Sequence, residues 1–245
     1  MLEDEILIST GNHIRLITIN REHVRNARSR AHNRRIAEAI MEADHDPDIF
    51  MTAITGAGDK AFSSGADLKD AAEMADRGEA NRGPLHSSER SVHEVVIDSI
   101  KPCMAIVNGP ALAGGFELVL ACDIRIAADH AFFAMTEAKR GRGAHFASVL
   151  LPQIVPPAVA MEWLFTGRRI PIREAERWGL FSRVVPFENL MGDAMAFAGE
   201  IISSDPLSLQ RMKQAYRKTH NMAFHDAVRL HVGPDVHGPA DLGSL

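Results

Sequence analysis

The sequence predicts an α/β protein, because short apolar strands alternate along the chain with helical patterns. Four runs rich in branched and apolar residues have the length of strands, at 14–19, 49–55, 104–107 and 124–127. A helical pattern follows the first run, and small-residue turns follow the second and third. This alternation is typical of layered α/β folds. A length of 245 residues fits one such unit, so we expect a single domain.

The chain opens with an expected β-hairpin and a capped helix. Residues 6–8 and 14–19 are strand-like runs, and Gly11-Asn12 between them is a turn signal. Ser29 has the side chain of an N-cap, and Asp46-Pro47 is a helix stop. Between them the apolar positions recur at helical spacing, at Ile36, Ala37, Ile40 and Met41.

The last third of the chain is predicted to be mostly helical. Helical patterns occupy 158–166, 172–178, 190–203 and 207–219. Residues 70–100 lose regular spacing and include Arg82-Gly83-Pro84, which indicates a mobile surface segment over a site.

Composition excludes several classes of protein. With 46% hydrophobic and 24% charged residues, the chain is globular rather than disordered or fibrous. A net charge of −5 gives no overall attraction to nucleic acid or acidic lipid. The two cysteines lie in apolar runs, which argues against a disulfide scaffold or a cysteine zinc site. The acidic N-terminus and the lack of an eighteen-residue apolar run predict a cytoplasmic protein without a membrane span.

The most informative stretch is Asn108-Gly-Pro-Ala-Leu-Ala-Gly-Gly-Phe-Glu117, in which a strand end, a small-residue turn and a helix start follow one another. At Gly114-Gly115 no side chain covers the backbone N–H groups, which can point with the helix dipole at a developing anion. Glu117 follows in an otherwise apolar helix. Spacing leaves two interpretations open: a glutamate that complements the dipole, or a buried acid/base group with a raised pKa.

A second small-residue turn, Phe62-Ser-Ser-Gly-Ala-Asp-Leu68, follows the strand at 49–55. Alone it is consistent with an ordinary strand-to-helix connection. Two such turns at strand ends in one chain favour a shared site.

These motifs resemble the enoyl-CoA hydratase/isomerase (crotonase) superfamily, over about residues 5–220. The matching segments are Ile19-Asn20-Arg21, Arg25-Asn26-Ala27, Ile54-Thr55-Gly56, Lys60-Ala-Phe-Ser-Ser-Gly-Ala-Asp-Leu-Lys69, the stretch 108–117 and Ala121-Cys122-Asp123-Ile124. The resemblance implies the crotonase fold, an α/β spiral of ββα turns with a helical C-terminal region that forms trimers, often paired as hexamers. We therefore expect residues 1–188 to form the core with the active site, and residues 189–245 to form the trimerisation region.

The resemblance also implies an activity and a set of site residues. Ala66 and Gly114 would supply the two backbone N–H groups of an oxyanion hole that binds the thioester carbonyl. Glu117 and Glu137 would be the acid and base of an enoyl-CoA hydratase. Coenzyme A would enter as part of the acyl-CoA substrate, with no metal and no further cofactor. The residues that match the family's substrate and coenzyme A contacts are Val24, Arg25, Ser64, Ala66, Asp67, Leu68 and Gly114. Without the resemblance, Glu137 beside Lys139 and Arg140 would be interpreted as a solvated loop residue.

Three alternative activities stay open. An isomerase of the superfamily would need only one of the two glutamates as a base. His145, in a segment about one residue shorter than in the hydratases, resembles a position of the β-diketone hydrolase branch, and it is otherwise a surface or packing histidine. Five arginines fall within residues 25–35, with Arg28 where the family prefers leucine. They indicate a solvated face with one coenzyme phosphate contact, or an RNA-binding homologue.

The C-terminal residues differ from the family pattern. Gly233-Pro234, Gly238-Pro239 and Gly243 predict that no helix continues beyond about His231. Relatives carry about fifteen more residues that close over the coenzyme. We therefore expect a weakly anchored end, and weaker binding of the adenine and phosphates with an intact oxyanion hole.

Overall fold

A computed structural model of the chain describes residues 2–77, 90–141 and 143–231, and it has the predicted alternation of strands and helices. The strands are β1 (Ile6–Gly11), β2 (Ile14–Ile19), β3 (Met51–Gly56), β4 (Cys103–Val107), β5 (Ala111–Leu112), β6 (Ile124–Ala128), β7 (Phe132–Ala134), β8 (Ile170–Pro171) and β9 (Arg183–Val185). The helices are α1 (Leu2–Glu5), α2 (Arg30–His45), α3 (Leu68–Asp76), α4 (Val92–Asp98), α5 (Gly114–Ala121), α6 (Ala147–Ile154), α7 (Pro157–Thr166), α8 (Ile172–Glu176), α9 (Phe187–Ile202), α10 (Pro206–Thr219) and α11 (Phe224–His231).

The main sheet has six strands in the order β1-β2-β3-β4-β6-β9, and a second sheet pairs β5-β7-β8. The hairpin β1-β2 is antiparallel, whereas the other strands of the main sheet, β2, β3, β4, β6 and β9, run parallel to one another. Because β3 and β4 are parallel neighbours, their carboxyl ends lie side by side. The two small-residue turns that follow these strands therefore meet at one edge of the sheet.

Both faces of the main sheet are covered by apolar side chains. One face packs against α2, α4 and α5, with fully buried residues that include Ile36, Ile54 and Phe116. The opposite face packs against Leu190, Ala194 and Ala198 of α9. Strands buried on both faces read as continuous apolar runs, which is why β3 and β4 were predicted from sequence. The expected division between residues 188 and 189 falls inside α9, and the division stays a prediction.

Local signals for helix ends are confirmed. Ser29 Oγ accepts the N–H of His32, whose ring in turn accepts the N–H of Ser29, so α2 begins with a reciprocal cap. Asp205 caps α10 by accepting the N–H of Ser208. The predicted helix end near His231 stays a prediction, because α11 reaches the last described residue.

Other expectations differ from the structure or lie outside it. Helix α4 lies within residues 70–100, where no regular element was expected. It is seven residues long, which is too short for a clear periodicity. Strands of two or three residues such as β5 and β8 likewise leave no pattern. Arg82-Gly83-Pro84 and residues 232–245 lie outside the described residues. Within the described part, no helix has the length and apolarity that a membrane span requires.

Candidate active site

The two small-residue turns are joined by backbone hydrogen bonds. The N–H of Phe62 donates to the carbonyl of Pro110 at 3.0 Å, and the N–H of Leu112 donates to the carbonyl of Ser63 at 2.9 Å. A Cβ on Gly115 would lie 2.3 Å from the carbonyl oxygen of Ser63. Only glycine allows this approach, so Gly115 fixes how closely helix α5 packs on the first turn.

Two buried asparagines fix the loop between β3 and the first turn. Asn26 Nδ2 donates to the carbonyls of Ala57 and Ala61 at 3.0 and 2.6 Å. Asn108 Oδ1 accepts the N–H of Gly56 at 2.9 Å, and its Nδ2 also donates to Ala61. Buried side-chain amides that use several of their donors and acceptors hold a loop in one conformation. The loop therefore holds residues 63–66 in a defined position.

The expected oxyanion donors face one another across the joined turns. A Cβ on Gly65 would lie 3.3 Å from the nitrogen of Gly114, so Ala66 and Gly114 are close neighbours. Within the described part of the chain, neither the N–H of Ala66 nor that of Gly114 donates to a protein acceptor. Ala113, just before the helix, has φ 51° and ψ −129°. This conformation is strained for an alanine, and such strain is typical of functional sites. Here it precedes the N–H group of Gly114.

Glu117 is buried at the start of α5 and is held by a second helix. Its side chain is 8% exposed, and Oε1 accepts the N–H groups of Phe146 and Ala147 at 2.9 and 3.1 Å. These N–H groups belong to the first turn of α6, where backbone donors have no helical partner. The interpretation as a simple dipole complement is therefore incomplete, because the carboxylate also has a fixed place between two helices.

Glu137 lies half-buried beside Glu117. Its Oε2 is buried and has no hydrogen-bond partner in the described part of the chain. Burial raises the pKa of Glu137, and the negative charge of Glu117 raises it further. The positive charge of Arg140 acts in the opposite direction and lowers the pKa of Glu137. Glu137 is therefore not a fully solvated loop residue, and its catalytic role stays a prediction.

His145 lies near Glu137 but is exposed to solvent. A positive charge on its ring would lower the pKa of Glu137, which places the two groups within electrostatic reach. Exposure is consistent with a surface histidine. The role of His145 stays a prediction.

Arg28 and His93 also face this site, and the sequence interpretation missed both. Arg28 is 3% exposed, which corrects the expectation of a solvated arginine face at this position. Its Nη2 donates to the carbonyl of Gly114 at 2.7 Å. His93 Nε2 lies 3.2 Å from the same oxygen. Burial, with the charge of Arg28, lowers the pKa of His93 to about 3, so the ring is neutral and Nε2 carries the proton. The departure from leucine at position 28 was the available signal.

The residues expected to contact coenzyme A form one continuous rim. The N–H of Ser64 donates to the carbonyl of Arg25 at 3.0 Å, which joins the first motif to the second. Val24 and Leu68 are exposed on this rim. Asp67 has a structural partner, because Arg21 Nη1 donates to its Oδ2 at 2.8 Å and this bond lowers the pKa of Asp67. Its carboxylate is therefore committed to the fold.

Two N–H groups without an acceptor among the described residues, next to two carboxyl groups, are suited chemically to adding or removing a proton beside an activated carbonyl. Residues 9–233 match the enoyl-CoA hydratase/isomerase family. The carnitinyl-CoA dehydratase of Citrobacter koseri is 40% identical over 211 residues, which cover 85% of this chain and 79% of that protein. The enoyl-CoA hydratase of Bacillus anthracis superposes with a TM-score of 0.85 at 32% identity, over 92% of this chain and 87% of that chain. A carnitinyl-CoA hydratase of Mycobacterium avium superposes with a TM-score of 0.78 at 37% sequence identity, over 86% of this chain and 80% of that chain.

The chain therefore belongs to the enoyl-CoA hydratase/isomerase family and has the crotonase fold. Its activity is that of a hydratase or dehydratase acting on CoA thioesters. The predictions of family, fold and hydro-lyase activity are confirmed. The roles of the individual site residues stay predictions.

Proposed function

We propose that the chain adds water across the double bond of a 2-enoyl-CoA, and catalyses the reverse dehydration, with Glu117 as base and Glu137 as acid. The observation that carries this proposal is the contrast between the two carboxyl groups. Glu117 Oε1 is held by two backbone N–H donors, an environment that suits a carboxylate. Glu137 has a buried oxygen without a partner and a raised pKa, an environment that suits a carboxylic acid.

The proposed reaction uses each group once. Glu117 takes a proton from a water molecule whose oxygen attacks C3 of the enoyl group. Electrons of the double bond move toward the thioester carbonyl, and the resulting oxyanion accepts the N–H groups of Ala66 and Gly114. Glu137 then delivers its proton to C2, and the enolate returns its electrons to that carbon. The product is a 3-hydroxyacyl-CoA. These steps use protein groups and the thioester, without a metal or further cofactor.

We propose that the coenzyme lies along the rim formed by Val24, Arg25, Ser64 and Leu68. The thioester sulfur must sit next to the oxyanion hole, and this rim adjoins Ala66 directly. Arg25 is exposed and has φ 55°, which turns the chain sharply at the rim. An exposed arginine there is suited to the phosphate groups of the coenzyme.

We also propose a homotrimer, or a hexamer of two trimers, that works in cytoplasmic fatty acid metabolism. Support for assembly comes from large apolar side chains exposed on the C-terminal helices: Met191, Leu207, Met212, Tyr216 and Phe224. Apolar groups in such number on one region are typical of interfaces. Light scattering on the purified protein tests the oligomeric state.

Support for a reducing compartment comes from Cys103 and Cys122, which are both free thiols with their sulfurs 3.7 Å apart.

The activity is tested by mixing the purified protein with crotonyl-CoA and following the loss of enone absorbance, beside a β-diketone without coenzyme A. We expect hydration of the thioester and no cleavage of the diketone. Cleavage of the diketone alone would instead identify a carbon–carbon hydrolase that uses His145. Movement of the double bond in a 3-enoyl-CoA without hydration of crotonyl-CoA would identify an isomerase.

A further inference from the structure

Arg28 is a buried cation with unused hydrogen-bond donors beside the proposed catalytic groups. Nη2 donates to the carbonyl of Gly114, the residue whose N–H is an oxyanion donor. Its Nε and Nη1 are buried and have no hydrogen-bond partner in the described part of the chain. The backbone of Arg28 is fixed on both sides, because its N–H donates to Gly65 and its carbonyl accepts from Asp67. The side chain is therefore anchored between the two oxyanion turns.

The charge of Arg28 is only partly compensated by the protein. Burial lowers its pKa to about 10, so the guanidinium is charged at neutral pH. Glu117 is the acidic group that counters this effect, yet its Oε1 already accepts two backbone N–H groups. The carboxylate of Asp67 is paired with Arg21, and His93 is neutral. Leaving two nitrogens of a buried arginine unpaired is costly, so a group beyond the described residues is expected to complete its hydrogen bonding, and we infer a ligand.

We propose that Arg28 makes this hydratase selective for acyl groups that carry a carboxylate, one oxygen of which accepts a hydrogen bond from the free Nη1 of its guanidinium. A hydrogen bond between a guanidinium and a carboxylate is charge-assisted and is therefore stronger than one between neutral groups. A carboxylate brought near Glu117 would be repelled without a cation, and Arg28 supplies that cation. The inference rests on the proposed function, and it adds the chemical class of the acyl chain.

The same residue disfavours a cationic acyl group. The carnitinyl group, for which several relatives are named, carries a permanent trimethylammonium charge. A like charge near a buried guanidinium is unfavourable where the local dielectric is low. We therefore expect this chain to differ from the carnitinyl-CoA enzymes in substrate although it shares their fold and reaction.

Binding of saturated thioesters tests the selectivity without any chemical step. Calorimetry would compare glutaryl-CoA with pentanoyl-CoA, and succinyl-CoA with butyryl-CoA, on the wild-type protein. We expect at least one carboxylated ligand to bind about tenfold to a hundredfold more tightly than its neutral partner. Arg28→Leu, which restores the residue preferred by the family, is expected to abolish the difference. Arg28→Lys keeps the positive charge but loses the planar guanidinium with its several donors, so this variant is expected to retain only part of the difference in affinity.

Turnover separates this inference from the proposed function. The wild-type protein is expected to hydrate glutaconyl-CoA with a higher kcat/KM than crotonyl-CoA, and Arg28→Leu to reverse that order. The thioester of 4-(trimethylammonio)but-2-enoic acid is expected to be the poorest of the three for the wild-type protein. Equal binding of both members in both pairs by the wild-type protein would overturn the inference even if crotonyl-CoA is hydrated. Tighter binding of the carboxylated thioesters without hydration of any thioester would instead overturn the proposed function, whereas the inference that Arg28 selects a carboxylate would still hold.

Discussion

Gly115→Ala is expected to disable the oxyanion hole while leaving both glutamates in the chain. The added methyl group would lie 2.3 Å from the carbonyl oxygen of Ser63 and 2.9 Å from its carbonyl carbon. Ordinary contact needs about 3.4 Å, so helix α5 and the first turn must separate by about 1 Å. A misplacement of about 1 Å costs on the order of a hundredfold in rate, and losing one donor costs about a hundredfold to a thousandfold.

We therefore predict that kcat for crotonyl-CoA falls by about a hundredfold to a thousandfold in Gly115→Ala, with a smaller change in KM. The free energy of unfolding is expected to fall by about 1–3 kcal/mol, since the methyl group overpacks a tight contact. Gly192→Ala on α9 is the matched control, because no atom of the described residues lies within 4 Å of its added Cβ. Initial rates and chemical denaturation measure both effects. A kcat for Gly115→Ala within threefold of wild type, with an unchanged fold, would refute the reasoning.

Three further predictions follow from buried and exposed polar groups. Glu137→Gln is expected to melt at a higher temperature than wild type, because the wild-type protein must bury a carboxylate whose pKa is raised by burial. The difference in melting temperature is expected to grow as pH rises above 4.5 and to become constant above the raised pKa of Glu137. A difference in melting temperature that does not change with pH would contradict this prediction. His145→Ala is expected to hydrate crotonyl-CoA at a rate within about tenfold of the wild-type rate, because the His145 ring is exposed. Loss of all activity with an unchanged circular dichroism spectrum would instead favour the histidine-based hydrolase. Asn26→Ala, which removes three hydrogen bonds of a buried side chain, is expected to lose about 2–4 kcal/mol of unfolding free energy. An unchanged denaturation midpoint would argue against a role of Asn26 in fixing the loop.

Elements with local signals could be predicted from the sequence. Ser29 and Asp205 are N-cap residues by type, and both cap helices in the structure. The hairpin turn at Asn12 and His13 has positive φ at both residues, which the Gly11-Asn12 signal anticipates only in part. The two turns near Ala66 and Gly114 could be recognised because small residues follow buried strands.

Features that depend on contacts between distant segments could not be predicted. Arg28 lies in a stretch with five arginines, and apart from the family's preference for leucine at position 28 no signal in the sequence distinguishes the buried arginine from the solvated ones. Its burial follows from the bridge that pairs Arg28 with Ala66, 38 positions away in the chain. His93 lies on a helix that was not expected, so its neighbour Gly114 was not expected either. Glu137 was assigned by resemblance alone, because spacing describes an ordinary charged loop.

The central claim is that two carboxyl groups share the addition of water, and their separate replacement tests it most directly. Purified wild type, Glu117→Gln and Glu137→Gln would each be mixed with crotonyl-CoA while the enone absorbance is followed. Each variant is expected to fold and to lose about two to four powers of ten in kcat, which is the usual contribution of one positioned acid or base. If Glu137→Gln hydrates crotonyl-CoA as fast as wild type, the two-carboxylate mechanism is wrong and a one-base isomerase mechanism is favoured.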